Sequence, residues 1–341
     1  MDVERLEVTA HALVSPGKGI LAADESHPSI GRRFEPLGIP NTEENRRRYR
    51  QMLFTTPNVA GFVSGVILFD ETIRQKADGG TPLVETLSRQ AIIPGIKVDR
   101  GAKPLAAAPG EQVTEGLDGL RERLVEYATL GARFAKWRAV IAIGPGLPTD
   151  RAIRANAHAL ARYAALCQER GMVPIVEPEV LMDGDHTIER CFDATEATLH
   201  AVFHALLEQG VALEGMLLKP NMVLSGEACA RQAGIPEVAA ATVACLSRTV
   251  PAAVPGVVFL SGGQTEERAT AHLNAMNVPG ASHPWALSFS YGRALQTAAL
   301  RAWRGDPTRV TAGQEAFYHR ARMNGAARRG RYTPDLERAI A

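Results

Sequence analysis

Eight short apolar segments recur along the chain, and longer segments with helical periodicity separate them. They span residues 19–23, 63–69, 93–98, 133–137, 173–177, 215–219, 257–261 and 285–290. Short apolar runs that alternate with helical segments are typical of βα units and of a parallel sheet. Eight such units in 341 residues predict an α/β fold, the (β/α)8 TIM barrel. We expect a single domain over residues 1–341, with a C-terminal tail from about residue 330.

Capping residues predict where some of the intervening helices begin and end. Thr149 is predicted to start a helix that runs to Gly171, since glycine commonly follows the last helical turn. Asp193, with Glu196 three residues later, fits a capping box for a helix that ends at Gly210. The alternative fold is a doubly wound open sheet, which is disfavoured because no GxGxxG fingerprint follows the first apolar segment.

Charge and composition argue against several classes of partner. The formal net charge is +1 at pH 7, so the bulk charge does not indicate binding to nucleic acid or to an anionic membrane. No segment approaches the roughly 20 unbroken apolar residues of a membrane span, and the N-terminus lacks an apolar secretory core. The four cysteines are far apart and form no CxxC pair, which is typical of reduced thiols. We therefore expect a cytoplasmic protein without nucleic-acid or membrane partners.

Several polar clusters are interpreted as structural features. His200 and His204 are four residues apart but lack the glutamate of an HExxH motif. Segment 183–186 reads Asp-Gly-Asp-His, which offers too few spaced acids for a calcium loop, and we predict a turn. No metal site is therefore expected. The basic residues in segments 46–50 and 320–331 are predicted to lie on a solvated surface.

Groups capable of chemistry cluster at the ends of the predicted strands, where barrel enzymes carry their active sites. They are Asp24, Lys97, Asp99, Lys136, Arg138, Glu177, Glu179, Lys219, Ser261, Gly262, Gly263, Ser290, Tyr291, Gly292 and Arg293. Charges scattered over a surface would not select strand ends so consistently.

Lys219 ends the sixth apolar segment and is one of only six lysines among 38 basic residues. Arginine cannot replace it as an amine nucleophile, because the guanidinium group stays charged. Burial and a nearby cation, for which Lys136 is the candidate, favour the neutral amine that attacks a carbonyl. The alternative is that Lys219 forms a buried ion pair with Glu177 or Glu179.

Three carboxylates are candidates for proton transfer. Glu177 and Glu179 are two residues apart, so an extended strand places them on one side. Their mutual repulsion predicts that one stays protonated near neutral pH and serves as a general acid; the alternative is a simple salt bridge to a lysine. Asp24 could accept a proton from a substrate hydroxyl, or it could cap the next helix.

The segments after the seventh and eighth strands are candidates for phosphate binding. Barrels of this kind often bind phosphate there, through backbone N–H groups, a hydroxyl and a helix N-terminus. Ser261-Gly262-Gly263 and Ser290-Tyr291-Gly292 supply such groups, and Arg293 adds a bidentate cation. The alternative is that the glycines only form tight turns.

Nine motifs in a fixed order add a resemblance to this interpretation. They are GKGILAADES at 17–26, NTEENRRRYR at 41–50, GVILFDET at 65–72, GIKVD at 95–99, FAKWR at 134–138, VPIVEPE at 173–179, LLKPNMV at 217–223, FLSGGQ at 259–264 and WALSFSYGRALQ at 285–296. Together they resemble the class I, Schiff-base fructose-bisphosphate aldolases. The resemblance runs from about residue 17 to about residue 334.

The resemblance implies a glycolytic and gluconeogenic lyase that reversibly cleaves fructose 1,6-bisphosphate to dihydroxyacetone phosphate and glyceraldehyde 3-phosphate. It implies sugar phosphates as ligands, no cofactor and a homotetramer. Lys219 would form the Schiff base, and Glu177 would shuttle protons during imine formation. Asp24 would accept the proton of the C4 hydroxyl. Lys136 would keep the amine neutral and position the hydroxyls, and Glu179 would hold the neighbouring lysines in place.

The resemblance also implies two phosphate sites. The C1 phosphate would be bound by Ser261, Gly262, Ser290, Gly292 and Arg293. The second phosphate would be bound by Ser29, Arg33, Lys97 and Arg138.

Three alternatives and two departures from the family pattern remain. One departure is His27-Pro28 between Asp24 and Ser29, where the proline stiffens the segment expected to contact the second phosphate. The barrel could prefer another ketose phosphate, such as fructose 1-phosphate or sedoheptulose 1,7-bisphosphate, or it could be a catalytically silent scaffold. A metal-dependent aldolase or isomerase is disfavoured by the lack of a His cluster at the strand ends. Family members usually carry a tail ending in tyrosine that helps to protonate the enamine, whereas this sequence ends at Ala341. We therefore expect slower or differently catalysed enamine protonation.

Overall fold

The computed structural model describes residues 2–338 and contains ten β-strands in that range. They are β1 (Gly19–Ala23), β2 (Val63–Leu68), β3 (Ile93–Lys97), β4 (Ala102–Pro104), β5 (Gln112–Thr114), β6 (Phe134–Ile141), β7 (Val173–Val180), β8 (Leu217–Leu218), β9 (Gly256–Phe259) and β10 (Ala286–Tyr291).

Twelve α-helices lie in the same range. They are α1 (Val3–Leu13), α2 (His27–Phe34), α3 (Glu43–Phe54), α4 (Asp70–Arg74), α5 (Leu83–Ser88), α6 (Leu120–Thr129), α7 (Asp150–Glu169), α8 (Ile188–Glu208), α9 (Ile235–Thr249), α10 (Glu266–Met276), α11 (Arg293–Trp303) and α12 (Val310–Ala327). The predicted tail from about residue 330 includes residues 339–341, which lie outside the described residues.

Eight strands form a closed parallel barrel in the order β1-β10-β9-β8-β7-β6-β3-β2. The barrel closes because β1 pairs with β10 on one side and with β2 on the other. Each of the eight apolar segments predicted from the sequence overlaps one barrel strand, so the predicted TIM barrel is confirmed. Strands β4 and β5 form a separate antiparallel pair that was not predicted.

Helix α1 closes the floor of the barrel at the N-terminal ends of the strands. Its buried residues Leu6, Ala10 and Leu13 recur at helical spacing and form one apolar face. That face joins the residues that fill the barrel interior, which include Ile20, Ile67, Phe134, Ile175, Leu217 and Val258.

Two glycines, Gly65 within β2 and Gly215 just before β8, allow α1 to approach closely. A Cβ atom added at Gly65 would lie 2.6 Å from Leu13 Cδ2, and one added at Gly215 would lie 2.8 Å from Leu6 Cβ. Side chains at these two positions would therefore collide with the helix.

Two predictions about local structure were wrong. Helix α8 begins at Ile188 and is capped by Thr187, so Asp193 lies inside the helix, because the apolar face already starts at Ile188 and Cys191. Arg50 and Arg320 belong to the segments predicted to be solvated, but both are buried. Each can be buried because it pairs with a carboxylate, Arg50 with Glu25 and Arg320 with Glu337. Thr149 caps α7 as predicted.

Replacing Leu6 with alanine should destabilise the protein by about 2–5 kcal/mol, because it opens a cavity in the barrel floor. Urea unfolding followed by circular dichroism would measure the loss. The matched control is Val8→Ala on the same helix, where the side chain is 66% exposed and we expect a change within about 0.5 kcal/mol. Equal effects of the two substitutions would contradict the assignment of α1 as the floor.

Candidate active site

A cavity of about 430 Å³ lies at the C-terminal ends of the barrel strands. Its lining consists of Ala22, Asp24, Glu25, Ser26, Ser29, Arg32, Arg33, Lys97, Lys136, Arg138, Glu177, Glu179, Lys219, Leu260, Ser261, Gly262, Ser290, Gly292 and Arg293. Every residue to which the sequence assigned a catalytic or phosphate-binding role is in this lining, whereas the strand-end residues Asp99, Gly263 and Tyr291 are not. Seven basic side chains face four carboxylates there, so the cavity carries an excess of positive charge suited to anions.

A chain of alternating charges crosses the base of the cavity. Lys136 Nζ lies 2.7 Å from Asp24 Oδ2 and 3.1 Å from Glu177 Oε2. The other oxygen of Glu177, Oε1, lies 3.2 Å from Lys219 Nζ. Lys136, Glu177 and Lys219 are each only 3% exposed. Two amines and two carboxylates thus compensate one another in a site that is largely closed to solvent.

The pKa values of these groups follow from burial and from their neighbours. Burial would raise the pKa of Asp24, but the ammonium groups of Lys136 and Lys219 outweigh it and hold that pKa well below its usual value of 3.8. The pKa of Glu177 is likewise lowered, because Lys136 and Lys219 outweigh the effect of burial. Burial would lower the pKa of Lys136, but Asp24 and Glu177 raise it. All three groups are therefore charged at neutral pH.

Glu177 and Glu179 do not share one environment, although both belong to β7. Glu177 contacts two lysines, whereas Glu179 forms its ion pair with Arg138. The prediction that mutual repulsion keeps one of them protonated is therefore wrong for Glu177, because cations rather than a second carboxylate dominate its surroundings. The predicted alternative, an ion pair between Lys219 and Glu177, is present.

The residues predicted to bind the C1 phosphate form one wall of the cavity. Gly262 and Gly263 have φ angles of +54° and +96°, a region that favours glycine and turns the backbone after β9. The Ser290 hydroxyl is buried and has no hydrogen-bond partner among residues 2–338. Gly292 immediately precedes α11, so the first N–H groups of that helix open towards this wall.

Two arginines stand close together at the same wall. An Nη atom of Arg33 lies 3.6 Å from the position that a Cβ atom would occupy at Gly292. Burial and the charge of Arg33 lower the pKa of Arg293, which shows that the two cations repel each other. Arg33 was predicted to bind the second phosphate, yet it lies beside the residues predicted for the first. An anion between the two arginines would relieve their repulsion.

The other residues predicted for the second phosphate already have partners. Lys97 Nζ lies 2.7 Å from Asp99 Oδ1, and Arg138 pairs with Glu179. The Ser29 hydroxyl accepts a hydrogen bond of 3.1 Å from Ser26. This side of the cavity is therefore held in place by protein contacts.

Five residues of the lining were not predicted: Ala22, Glu25, Ser26, Arg32 and Leu260. Glu25 directly follows Asp24, so its position beside a strand end was the one available signal. Among residues 2–338, no group of three or more His, Cys, Asp or Glu side chains could hold a metal ion. In the same range, no helix is both long and apolar enough to cross a bilayer.

Comparisons with known proteins agree with this site. Residues 5–341 match the family model described as fructose-bisphosphate aldolase class-I. A probable fructose-bisphosphate aldolase class 1 of Xanthomonas campestris is 61% identical over 333 residues, which cover 97% of this chain and 99% of the relative. Mouse fructose-bisphosphate aldolase C is 54% identical over 330 residues, covering 96% and 91%.

A solved structure is similarly close. The fructose-bisphosphate aldolase of Plasmodium falciparum, determined in complex with TRAP and a small-molecule inhibitor, superposes with a TM-score of 0.95 at 51% identity, covering 97% of this chain and 96% of that one. The fold and the matches define a barrel lyase. The chain belongs to the class I fructose-bisphosphate aldolase family, and the predicted aldolase function is confirmed over the alternatives of another ketose phosphate or a silent scaffold.

Replacing Asp24 with asparagine should make the stability of the protein less dependent on acidic pH. The pKa of Asp24 is lower in the folded state than in the unfolded state, so the unfolded state binds the proton first as the pH falls. The stabilisation by Asp24 is thus present above pH 4 or so and is lost as the pH falls further. Urea unfolding at pH 7, 5 and 3.5 would measure the free energies.

The Asp24→Asn variant should be less stable than the wild type by about 1.5–3 kcal/mol at pH 7, the usual value for a hydrogen bond between charged groups. This difference should shrink as the pH falls. Asp335→Asn, whose native side chain is 88% exposed, serves as the control and should show little difference at any pH. A constant difference for Asp24→Asn would rule out the assigned direction of its pKa shift.

Proposed function

We propose that this chain cleaves fructose 1,6-bisphosphate reversibly through a Schiff base on Lys219 and without a metal ion. The observation that carries the proposal is the 3.2 Å contact between Lys219 Nζ and Glu177 Oε1 at the base of a cationic cavity. This contact places Lys219, which directly follows β8, next to a carboxylate that can exchange protons with its amine. Dihydroxyacetone phosphate and glyceraldehyde 3-phosphate are the products of the cleavage, and condensation is the reverse reaction.

Imine formation requires two proton transfers, which we assign to Glu177. The neutral amine of Lys219 attacks the C2 carbonyl, and a carbinolamine forms. Glu177 then delivers a proton to the carbinolamine hydroxyl, which leaves as water. The pKa of Glu177 is lowered, so this carboxylate starts in the ionised state and can first accept a proton from the Lys219 ammonium group.

We assign cleavage of the C3–C4 bond to Asp24. The ionised carboxylate accepts the proton of the C4 hydroxyl, the C4 aldehyde forms, and the electron pair of the C3–C4 bond moves into the protonated imine. The product that remains bound is an enamine, so the imine itself acts as the electron sink. Lys136, 2.7 Å from Asp24, orients this carboxylate and is available to hydrogen-bond substrate hydroxyls.

Two groups of residues would hold the phosphates. We propose that the C1 phosphate binds at Ser261, Gly262, Ser290, Gly292 and Arg293, where a buried hydroxyl without a partner and a helix N-terminus support anion binding. We propose that Ser29, Lys97, Arg138 and Arg33 surround the second phosphate. Arg33 also stands within reach of the first group. The family resemblance supports Glu179 as a residue that orders this charged network.

Borohydride trapping tests the Schiff base directly. The protein is incubated with fructose 1,6-bisphosphate and EDTA, reduced, digested and mapped by mass spectrometry. We expect one stable adduct, on Lys219, and six lysines in the whole chain make the map unambiguous. Lys219→Met should give none.

Lys97→Met is the matched control, because it removes a different lysine of the same cavity and should keep the adduct on Lys219 at saturating substrate. An adduct on another lysine would refute the mechanism. So would the absence of any adduct on folded wild-type protein when a reference aldolase, treated in parallel, is trapped.

We also propose a cytoplasmic homotetramer. The family resemblance supports the tetramer, and four free cysteines, three of them buried, support a reducing compartment. Sedimentation equilibrium should give four times the chain mass of 36.6 kDa. A mass that stays at that of one chain over the accessible concentrations would exclude the tetramer.

A further inference from the structure

We propose that Arg50 is a positioning residue that acts through Glu25 to keep the charge of Arg33 available to a substrate phosphate. Arg50 does not line the cavity and belongs to a segment that the sequence predicted to be solvated. The inference rests on the proposed function, which gives Arg33 a phosphate to bind.

Glu25 is shared by two arginines on opposite sides. Arg50 Nη2 lies 2.7 Å from Glu25 Oε2, and Arg33 Nη1 donates to Glu25 Oε1. Gln296 on α11 donates to the same Oε1 at 2.9 Å and to the carbonyl oxygen of Ala22 at 2.7 Å. Glu25 is thus fixed from three directions, and its orientation sets where Arg33 can lie.

The burial of Arg50 is hard to explain by its own contacts. The residue is 2% exposed, and its Nε and Nη1 atoms have no hydrogen-bond partner in the described part of the chain. Burying a guanidinium group with two unsatisfied donors is costly. Among residues 2–338, the contact with Glu25 is the one ion pair of Arg50. Arg50 Nη2 also donates to the Glu25 carbonyl oxygen at 3.4 Å, and the guanidinium group lies over the Tyr49 ring. The polar contacts of Arg50 are thus directed at Glu25.

The charge balance shows what Arg50 changes. Glu25 and Arg33 alone would form a neutral pair, in which a phosphate would have to compete with Glu25 for Arg33. With Arg50 on the opposite oxygen, the three side chains carry a net positive charge, and Glu25 stays compensated when Arg33 also contacts an anion. Arg33 lies beside Gly292, at the wall where such an anion is expected.

A double-mutant cycle tests whether Arg50 acts through Arg33. Arg33→Ala should raise the KM for fructose 1,6-bisphosphate roughly 10–100-fold, the usual effect of losing a charge-assisted hydrogen bond. Arg50→Met should raise KM about tenfold with little change in kcat, because it weakens binding of substrate and transition state alike. In the Arg33→Ala background, Arg50→Met should add almost nothing.

Two further variants separate positioning from folding. Arg50 contacts Glu25 through a single nitrogen, so Arg50→Lys can supply a cation there and should return KM to within about threefold of the wild type. Arg48→Met on the exposed side of α3 is the matched control, since its native side chain is 46% exposed, and it should leave KM unchanged. If Arg50→Met does not fold, Arg50→Gln keeps a donor for Glu25 without the charge and takes its place in the cycle.

The possible outcomes distinguish the inference from the proposed function. Three results would overturn the role of Arg50. Arg50→Met could raise KM equally in the wild-type and Arg33→Ala backgrounds, it could leave KM unchanged, or it could lower kcat alone. An unchanged KM in Arg33→Ala would remove the phosphate-binding role of Arg33 and, with it, this inference. Trapping on Lys219 would still decide the Schiff-base chemistry independently.

Discussion

The contact between the buried ammonium group of Lys136 and two carboxylates determines much of the architecture. Lys136 is on β6 and Asp24 follows β1, and these strands are three positions apart in the sheet. In a flat open sheet their ends would be about 14 Å apart. Closure of the barrel brings them across its mouth to 2.7 Å. An open doubly wound sheet could not form this contact, so the site requires the closed fold.

The cavity separates two electrostatic tasks in space. At its base, Asp24, Lys136, Glu177 and Lys219 have formal charges that sum to zero, so a proton can pass between Glu177 and Lys219 without changing the net charge of a dry site. Around its rim, basic side chains exceed carboxylates and attract an anionic ligand. Glu25 belongs to the cavity lining and Arg50 lies behind it. In our proposal, Arg50 keeps Glu25 from neutralising Arg33.

The sequence predicted the strands and the site well for one physical reason. Barrel strands are buried on both faces and read as apolar runs. Most site residues stand where such a run ends, whereas Ser29 and Arg33 lie on α2 and were predicted from the family resemblance. The β4–β5 pair lacks this signal, because residues such as Lys103 and Pro104 are exposed. Ion-pair partners were not predictable, since Arg50 meets Glu25 and Arg320 meets Glu337 only after the chain has folded. For the same reason, Glu177 and Glu179, two residues apart on β7, could not be assigned to separate cations.

Helix α1 comes first in the chain, yet it rests on residues from the distant half of it. Leu6 lies against Gly215, and Val14 lies against Gly256, the first residue of β9. A ribosome that makes this protein releases α1 long before those residues exist. For much of translation the helix therefore lacks part of the surface that covers its apolar face, and exposed apolar surface of this kind is prone to aggregation. The barrel floor cannot be completed until β9 has been synthesised, although the sequence of α1 is synthesised first.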